Sequence, residues 1–280
     1  VSSVETSGKG VRPTRTWDNK TNREGEESIL GSIRGAATLV VVTVFFLAAD
    51  LVQRTLIVVV IKARPGVRDR VLTRWVRIVN TAVLGLVTHV GGAQADLQAR
   101  IPASPGILVL MNHQSLLDIP VAIGCIEGGY PKIVARERYR KGYPLISHMI
   151  RLYGHPTVRP GEYAAAQLEA LKRMAEEEER PVVLYPEGSR TPDGQIRRFR
   201  TAGLKAILSA RSWSVYLLVA DGMVKATSLR GFVKNVSGAV IRVRSEGPFF
   251  FDGRDADADG FVASMEQRMI RKLSEMRATA

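Results

Sequence analysis

Ile107-Leu108-Val109-Leu110-Met111-Asn112-His113-Gln114-Ser115-Leu116-Leu117-Asp118 runs from five consecutive apolar residues straight into a polar cluster. So short an apolar run suits a strand covered on both faces, as in a parallel sheet. The pattern recurs downstream. Lys132 to Arg136, Thr157-Val158, Val182 to Tyr185, Trp213 to Ala220 and Ala239 to Val243 are further strand candidates. Between them, Ala164, Leu168, Leu171 and Ala175 fall at helical spacing before a solvated end at Glu176 to Glu179. Ala202 to Ala210 reads as a second helix, and Phe261, Met265, Met269, Leu273 and Met276 as the apolar face of a C-terminal one. Strands alternating with helices predict an α/β domain over residues 78–280, a mostly parallel sheet flanked by helices.

Ahead of that domain the composition changes twice. Residues 1–28 are polar and lack an apolar period, which reads as a disordered leader or, in their first part, a linker remnant. Residues 29–77 read as membrane-anchoring helices. Ala36 to Ala49 carries no charge; Asp50, Gln53 and Arg54 follow, then the apolar run Leu56 to Ile61. The segment is long enough to span a bilayer, for which about 20 mostly apolar residues are needed. Asp50 and Arg54 would each cost several kcal/mol near the centre unless paired, which their i, i+4 spacing allows. An interfacial or re-entrant helical anchor is the first reading; a single span and a buried soluble helix are the alternatives.

Lys62, Arg64, Arg68, Arg70, Arg74 and Arg77 come next, opposed only by Asp69. Basic residues beside an apolar segment predict contact with an anionic membrane and place the active domain on its cytoplasmic face; a solvated helix face is the plainer reading. The formal net charge of +13 calls for a polyanionic partner of some kind. Nucleic acid is disfavoured, because a binding surface for it interleaves bases with aromatics and only Trp75 lies nearby. Cys125 is the single cysteine, so neither an internal disulfide nor a cysteine-based zinc site is available.

Two polar clusters stand where strands end: Asn112 to Asp118, and Tyr185-Pro186-Glu187-Gly188-Ser189-Arg190. Ligands of open α/β sheets bind at the carboxyl ends of strands. In the first cluster His113 can act as a base on a hydroxyl proton, and Asp118 can fix its tautomer and stabilise the imidazolium. Ser115 and Asp118 can equally form a capping box for the next helix. Pro120 argues for a helix starting near Asp118 rather than Ser115, since proline prefers the first helical turn and disfavours the α region before it.

The two clusters together resemble the signature blocks of the glycerolipid acyltransferases, in particular the 1-acylglycerol-3-phosphate (lysophosphatidate) acyltransferases. The first block, Asn-His-x-Ser-x-x-Asp, is met at Asn112, His113, Ser115 and Asp118; a later one, Pro-Glu-Gly-Thr/Ser-Arg, at Pro186, Glu187, Gly188, Ser189 and Arg190. The resemblance covers roughly residues 74–245. It implies His113 as general base with Asp118 behind it, direct acyl transfer from an acyl-CoA or acyl-carrier protein thioester without a covalent enzyme intermediate, and no metal or organic cofactor. It implies phosphatidic acid as product, and that Glu187, Gly188 and Arg190, with Ser189, hold the acceptor's glycerol phosphate. A middle block, Gly then apolar residues then Arg, is met in shortened form by Gly154-His155-Pro156-Thr157-Val158-Arg159 and assigns Arg159 to the phosphate. Val215 to Val219 lacks the prolines of the family's last block, which leaves acceptor identity open. Rivals are another lysophospholipid or amino-acid lipid as acceptor, and a catalytically silent membrane-binding relative.

Asp255, Asp257, Asp259, Gly260 and Glu266 match the spacing of an EF-hand calcium loop. Gly247 to Gly253 makes a poor entering helix, so the preferred reading is an acidic loop whose Asp259 caps the last helix. Asn235-Val236-Ser237 fits a glycosylation acceptor that cytoplasmic placement would leave unused.

Overall fold

The computed structural model describes residues 18–159, 165–253 and 257–279. Residues 1–17 of the expected leader, Ala164 of the expected helix and Asp255 of the acidic loop lie outside them. Helix α1 (Asp18–Val52) begins within the stretch read as leader and passes through a π-helical turn, Gln53–Ile57, into α2 (Val58–Ala63). After a 3₁₀ turn at Pro65–Val67, α3 (Arg68–Gly85) runs back and ends in a second π turn, Leu86–Val90. The α/β part follows as β1 (Gln94–Gln98), β2 (Ile107–Met111), α4 (Asp118–Cys125), β3 (Lys132–Ile133), β4 (Ala135–Arg136), α5 (Ile146–Leu152), β5 (Thr157–Val158), α6 (Ala165–Glu177), β6 (Val182–Leu184), α7 (Thr201–Leu208), β7 (Trp213–Asp221), α8 (Leu229–Asn235), β8 (Val240–Phe251) and α9 (Ala258–Ala278).

Six strands form one sheet in the order β1-β8-β7-β2-β6-β3, and β4 and β5 form a small parallel pair. Every pairing in the main sheet is parallel except β7 with β8. The mostly parallel sheet expected from the strand-helix alternation is therefore present. Strand β2 is buried along its whole length, as its unbroken apolar run requires. Its residues alternate between two cores: Ile107, Val109 and Met111 face α3 and α4, while Leu108 and Leu110 face α6, α7 and α9. On α9, Met265, Met269, Leu273 and Met276 are buried as expected.

Two strands depart from the reading. The run from Lys132 to Arg136 divides at Val134, because its halves join different sheets. The strand expected over Ala239 to Val243 continues as β8 to Phe251, through Gly247 and Pro248. There the ladder with β7 is irregular, with Gly247 and Pro248 both opposite Tyr216. A bulge is where a strand tolerates a residue without an N–H, so Pro248 does not end it.

The acidic loop is likewise settled by packing. Asp257, not Asp259, caps α9, accepting from the backbone N–H groups of Asp259 and Gly260. Asp259 is instead the second residue of the helix, and its carboxylate pairs with Lys205 at 2.7 Å. Glu266 accepts the Phe199 N–H at 2.7 Å. These carboxylates are engaged by the protein itself, and the residues before the loop form β8 rather than an entering helix.

The N-terminal helices form an antiparallel hairpin docked on the domain. Arg34 donates to the carbonyls of Val90 and His89 at the C-terminal end of the α3 rod. Deeper along the hairpin, the Trp75 indole N–H donates to Gln53 Oε1 at 2.8 Å, and Gln53 Nε2 lies 2.9 Å from His148 Nδ1. Gln53 is fully buried by these contacts, at the π turn that turns it inward. Asp50 and Arg54 do pair, at 2.8 Å. Leu72, Val76, Val79 and Val83 of α3 belong to the main core, so the boundary drawn at residue 77 falls inside a core helix. Residues 29–63 and 65–90 are each long and apolar enough to cross a membrane.

Candidate active site

Strand β2 delivers Asn112 and His113 to the carboxyl edge of the sheet. Asn112 is locked there by a reciprocal pair, its Nδ2 donating to the Ala220 carbonyl and its Oδ1 accepting the Ala220 N–H, both at 2.8 Å. This side-chain clamp ties β2 to the end of β7 beyond their last backbone bonds. Asn112, expected to bind substrate, is buried and spends one N–H and one lone pair of its amide on β7.

His113 Nδ1 sits 2.7 Å from Asp118 Oδ2. The same oxygen accepts the backbone N–H groups of Gln114 at 2.7 Å and Ser115 at 2.8 Å. Helix α4 starts at Asp118, as Pro120 suggested. Leu117, not Ser115, is the N-cap, so the capping box is not formed; Asp118 reaches back to the Ser115 N–H from the first residue of the helix and also holds the imidazole. A carboxylate oxygen can only accept, so Nδ1 carries the proton and Nε2 presents a lone pair. Asp118 is 1% exposed and His113 is 21% exposed, so the imidazole is partly accessible while its partner is sealed. Ser115 Oγ accepts the Leu117 N–H at 2.9 Å, which shapes the turn rather than a ligand pocket.

The second cluster closes over the first. Glu187 is buried and accepts the His113 N–H at 2.8 Å and the Arg197 N–H at 3.0 Å, one on each oxygen. Burial raises its carboxyl above the usual range, and the two backbone N–H bonds oppose that shift. The Thr191 N–H donates to the His113 carbonyl at 2.9 Å. Gly188 takes φ +68°, and a Cβ there would meet Arg200 Cδ at 2.6 Å, so the turn needs glycine for conformation and for space. Ser189 Oγ accepts from Arg197 at 3.3 Å. Arg190 donates to the Thr227 carbonyl, toward the end of β7.

Arg159 pairs with Glu137 and is 73% exposed. It lines a groove of about 460 Å³ with Arg136, Glu137, Arg138 and Val158. Arg136 connects that groove to the second cluster, donating to the Gly188 carbonyl at 2.5 Å. Burial and then the neighbouring guanidiniums of Arg138, Arg200 and Arg190 lower its affinity for its proton. Crowded cations of this kind gain most from an anion placed among them. Arg136 was passed over in the sequence because it reads as one base in a basic run; only the meeting of β4 with the 186–190 loop singles it out.

The other described histidines have different surroundings. His155 is driven to about pKa 3 by burial and by Lys132, and its Nδ1 accepts the Ile133 N–H at 3.3 Å. Its ring is held neutral and serves the Ile133 backbone. Tyr185 packs on His113 with ring centroids 4.5 Å apart, and its buried hydroxyl finds no partner among the described residues. An unmet buried hydroxyl costs about 1–3 kcal/mol. Tyr185→Phe should therefore keep the ring contact and leave thermal stability unchanged or higher; a lower melting temperature in calorimetry would show that the hydroxyl has a partner in solution.

A family model described as Acyltransferase matches residues 94–245, more than half of the 280-residue chain and inclusive of both clusters. The chain belongs to the acyltransferase family. The enzyme's fold is similar to that of the crystal structure of the 1-acyl-sn-glycerophosphate (LPA) acyltransferase PlsC from Thermotoga maritima, with a TM-score of 0.65 over 91% of this chain and 98% of that one. Identity between the two is 19%, so this likeness speaks for the fold. No curated protein sequence matches the chain. The resemblance read from Asn112 to Asp118 and from Pro186 to Arg190 is borne out at the level of the family, and both blocks of this acyltransferase meet at one edge of its sheet.

Proposed function

We propose that this acyltransferase moves a fatty acyl group from the thioester of acyl-CoA or acyl-carrier protein to the free hydroxyl of a lysophosphatidic acid-like acceptor, making phosphatidic acid. The observation that carries the reading is the 2.7 Å His113–Asp118 pair, its imidazole partly exposed, joined through Glu187 and the Gly188 turn to Arg136 of the arginine-lined groove. Nε2 takes the hydroxyl proton as the acceptor oxygen attacks the thioester carbonyl. The carbon–sulfur bond then breaks, and the imidazolium returns the proton to the leaving thiolate. Asp118 stabilises the imidazolium in between. Glu187 acts by fixing the His113 backbone, while Arg136, Arg190 and Arg159 supply positive charge for the acceptor phosphate.

The test is thioester consumption against a panel of acceptors: lysophosphatidic acid, other lysophospholipids, monoacylglycerol and amino-acid lipids. Preference for lysophosphatidic acid is the expected result. Preference for an acceptor without a phosphate monoester would reassign the substrate, and no turnover with any acceptor would favour a silent membrane-binding relative.

The hairpin supports attachment to a membrane surface; the cytoplasmic face is proposed from the basic residues Lys62 to Arg77 alone. Val40, Val44, Leu47 and Leu51 form an exposed apolar stripe along α1, at the i, i+4, i+7, i+11 positions of one helix face. The opposite face is docked on the domain, which favours a helix lying in the interface over one standing across the bilayer. Deleting residues 30–77 would remove core side chains of α3, so the informative change is at the surface. Replacing the four stripe residues with asparagine removes apolar burial on the order of 3 kcal/mol or more. The variant should move from the liposome pellet to the supernatant with its melting temperature retained. Undiminished cosedimentation would place the attachment elsewhere.

A further inference from the structure

The outer face of α3 carries a groove of about 800 Å³, flanked across the gap by Gly128. Its lining changes character along the helix. Arg70, Arg74 and Arg77 occupy the end near the hairpin turn, and Ile78 and Ala82 the other end. Arg77 is a fixed wall, donating to the carbonyls of Ile126 at 2.7 Å and Gly129 at 3.1 Å. Arg70 and Arg74 make no hydrogen bond or ion pair among the described residues; Asp69, which also lines the groove, pairs with Arg180 at 2.7 Å, and Glu127 beside Gly128 pairs with Arg100. Ile78 is exposed. The groove therefore offers uncompensated positive charge at one end and uncovered apolar surface at the other.

This site is separate from the catalytic crevice. Helix α4 begins at the catalytic edge with Asp118, and Ile126 to Gly129 follow its far end, before β3 enters the sheet. The groove lies beside those residues, at the opposite end of α4 from His113.

We propose that the α3 groove binds one molecule of an anionic phospholipid, with the headgroup phosphate between Arg70 and Arg74 and an acyl chain running along Ile78 toward Ala82. Charge complementarity selects an anionic headgroup, and the apolar half requires a chain, so a soluble phosphate ester satisfies only part of the site. The hairpin of which α3 is one arm also bears the apolar stripe of α1, so the groove belongs to the part of the chain with the most uncovered apolar surface. A seated lipid extends the hairpin's attachment from diffuse charge attraction to a defined contact.

The experiment is native mass spectrometry of the full chain in detergent, titrated with phosphatidylglycerol or phosphatidylcholine. A single phosphatidylglycerol adduct is expected, with weaker phosphatidylcholine binding. Arg70→Gln/Arg74→Gln should weaken the adduct by about 30-fold, the equivalent of two arginine contacts at an anionic surface. Ile78→Asp should weaken it too, by opposing the chain. Glycerol 3-phosphate at equal concentration should not displace the lipid. Equal binding by the variants, equal binding of the two lipids, or loss confined to the arginine pair with Ile78→Asp unaffected would each overturn the site. Turnover with a short-chain, water-soluble acceptor separates this from the catalytic reading: it should be unchanged in both variants, and a parallel fall would assign the groove to substrate binding instead.

Discussion

His113→Ala is expected to lower turnover by about 10²–10⁴-fold, the usual contribution of a general base, in a protein that still folds and binds membranes. The fold should survive because the backbone of residue 113 is held independently, its N–H by Glu187 and its carbonyl by Thr191. Asp118 would also keep its backbone N–H bonds from Gln114 and Ser115. Asp118→Asn should approach the same loss by another route. An asparagine whose oxygen keeps those N–H bonds carries no charge, so the imidazolium is no longer stabilised. Thioester consumption under single-turnover conditions, with circular dichroism as the check on folding, measures both. A folded His113→Ala protein with a near-normal rate would remove His113 from the mechanism.

The second large effect is expected at the arginines. Arg190→Lys keeps the charge but loses the planar fork and its hold on the Thr227 carbonyl. Losing a charge-assisted contact of about 1.5–3 kcal/mol lowers kcat/KM for lysophosphatidic acid roughly 10- to 100-fold. Arg136→Lys should behave similarly, because Arg136 is the base that touches the Gly188 turn. Arg159→Ala should do less, since Arg159 is mostly exposed and already balanced by Glu137, and exposed pairs contribute about 1 kcal/mol or less. With monoacylglycerol as acceptor all three losses should shrink, because that substrate carries no phosphate. Proportional losses on the two acceptors would mean that these arginines support the loop or the donor, and the lysophosphatidate reading would lose its main physical ground.

The local order along the chain determined much of this protein. Ile107 to Met111 could only be a strand buried on both faces, Pro120 set the start of α4, and the two polar clusters announced the family. These are short-range matters of apolar runs, backbone geometry and motif spacing, and they are written in neighbouring residues. Tertiary structure decided what depends on partners distant in sequence. That Asn112 holds Ala220, and that Glu187 holds the backbones of His113 and Arg197, is seen only once the strands are assembled. Arg136 is one base among several until β4 is laid against Gly188. Residues 29–77 read as a detachable anchor until Leu72 and Val76 are found in the main core. The strand read over Ala239 to Val243 is seen to run on to Phe251 only when the irregularity opposite Tyr216 shows how Pro248 is accommodated. A polar group can satisfy its hydrogen bonds with the chain or with a ligand, and an apolar face can be covered by protein or by lipid; sequence states the need, and only packing shows which partner meets it.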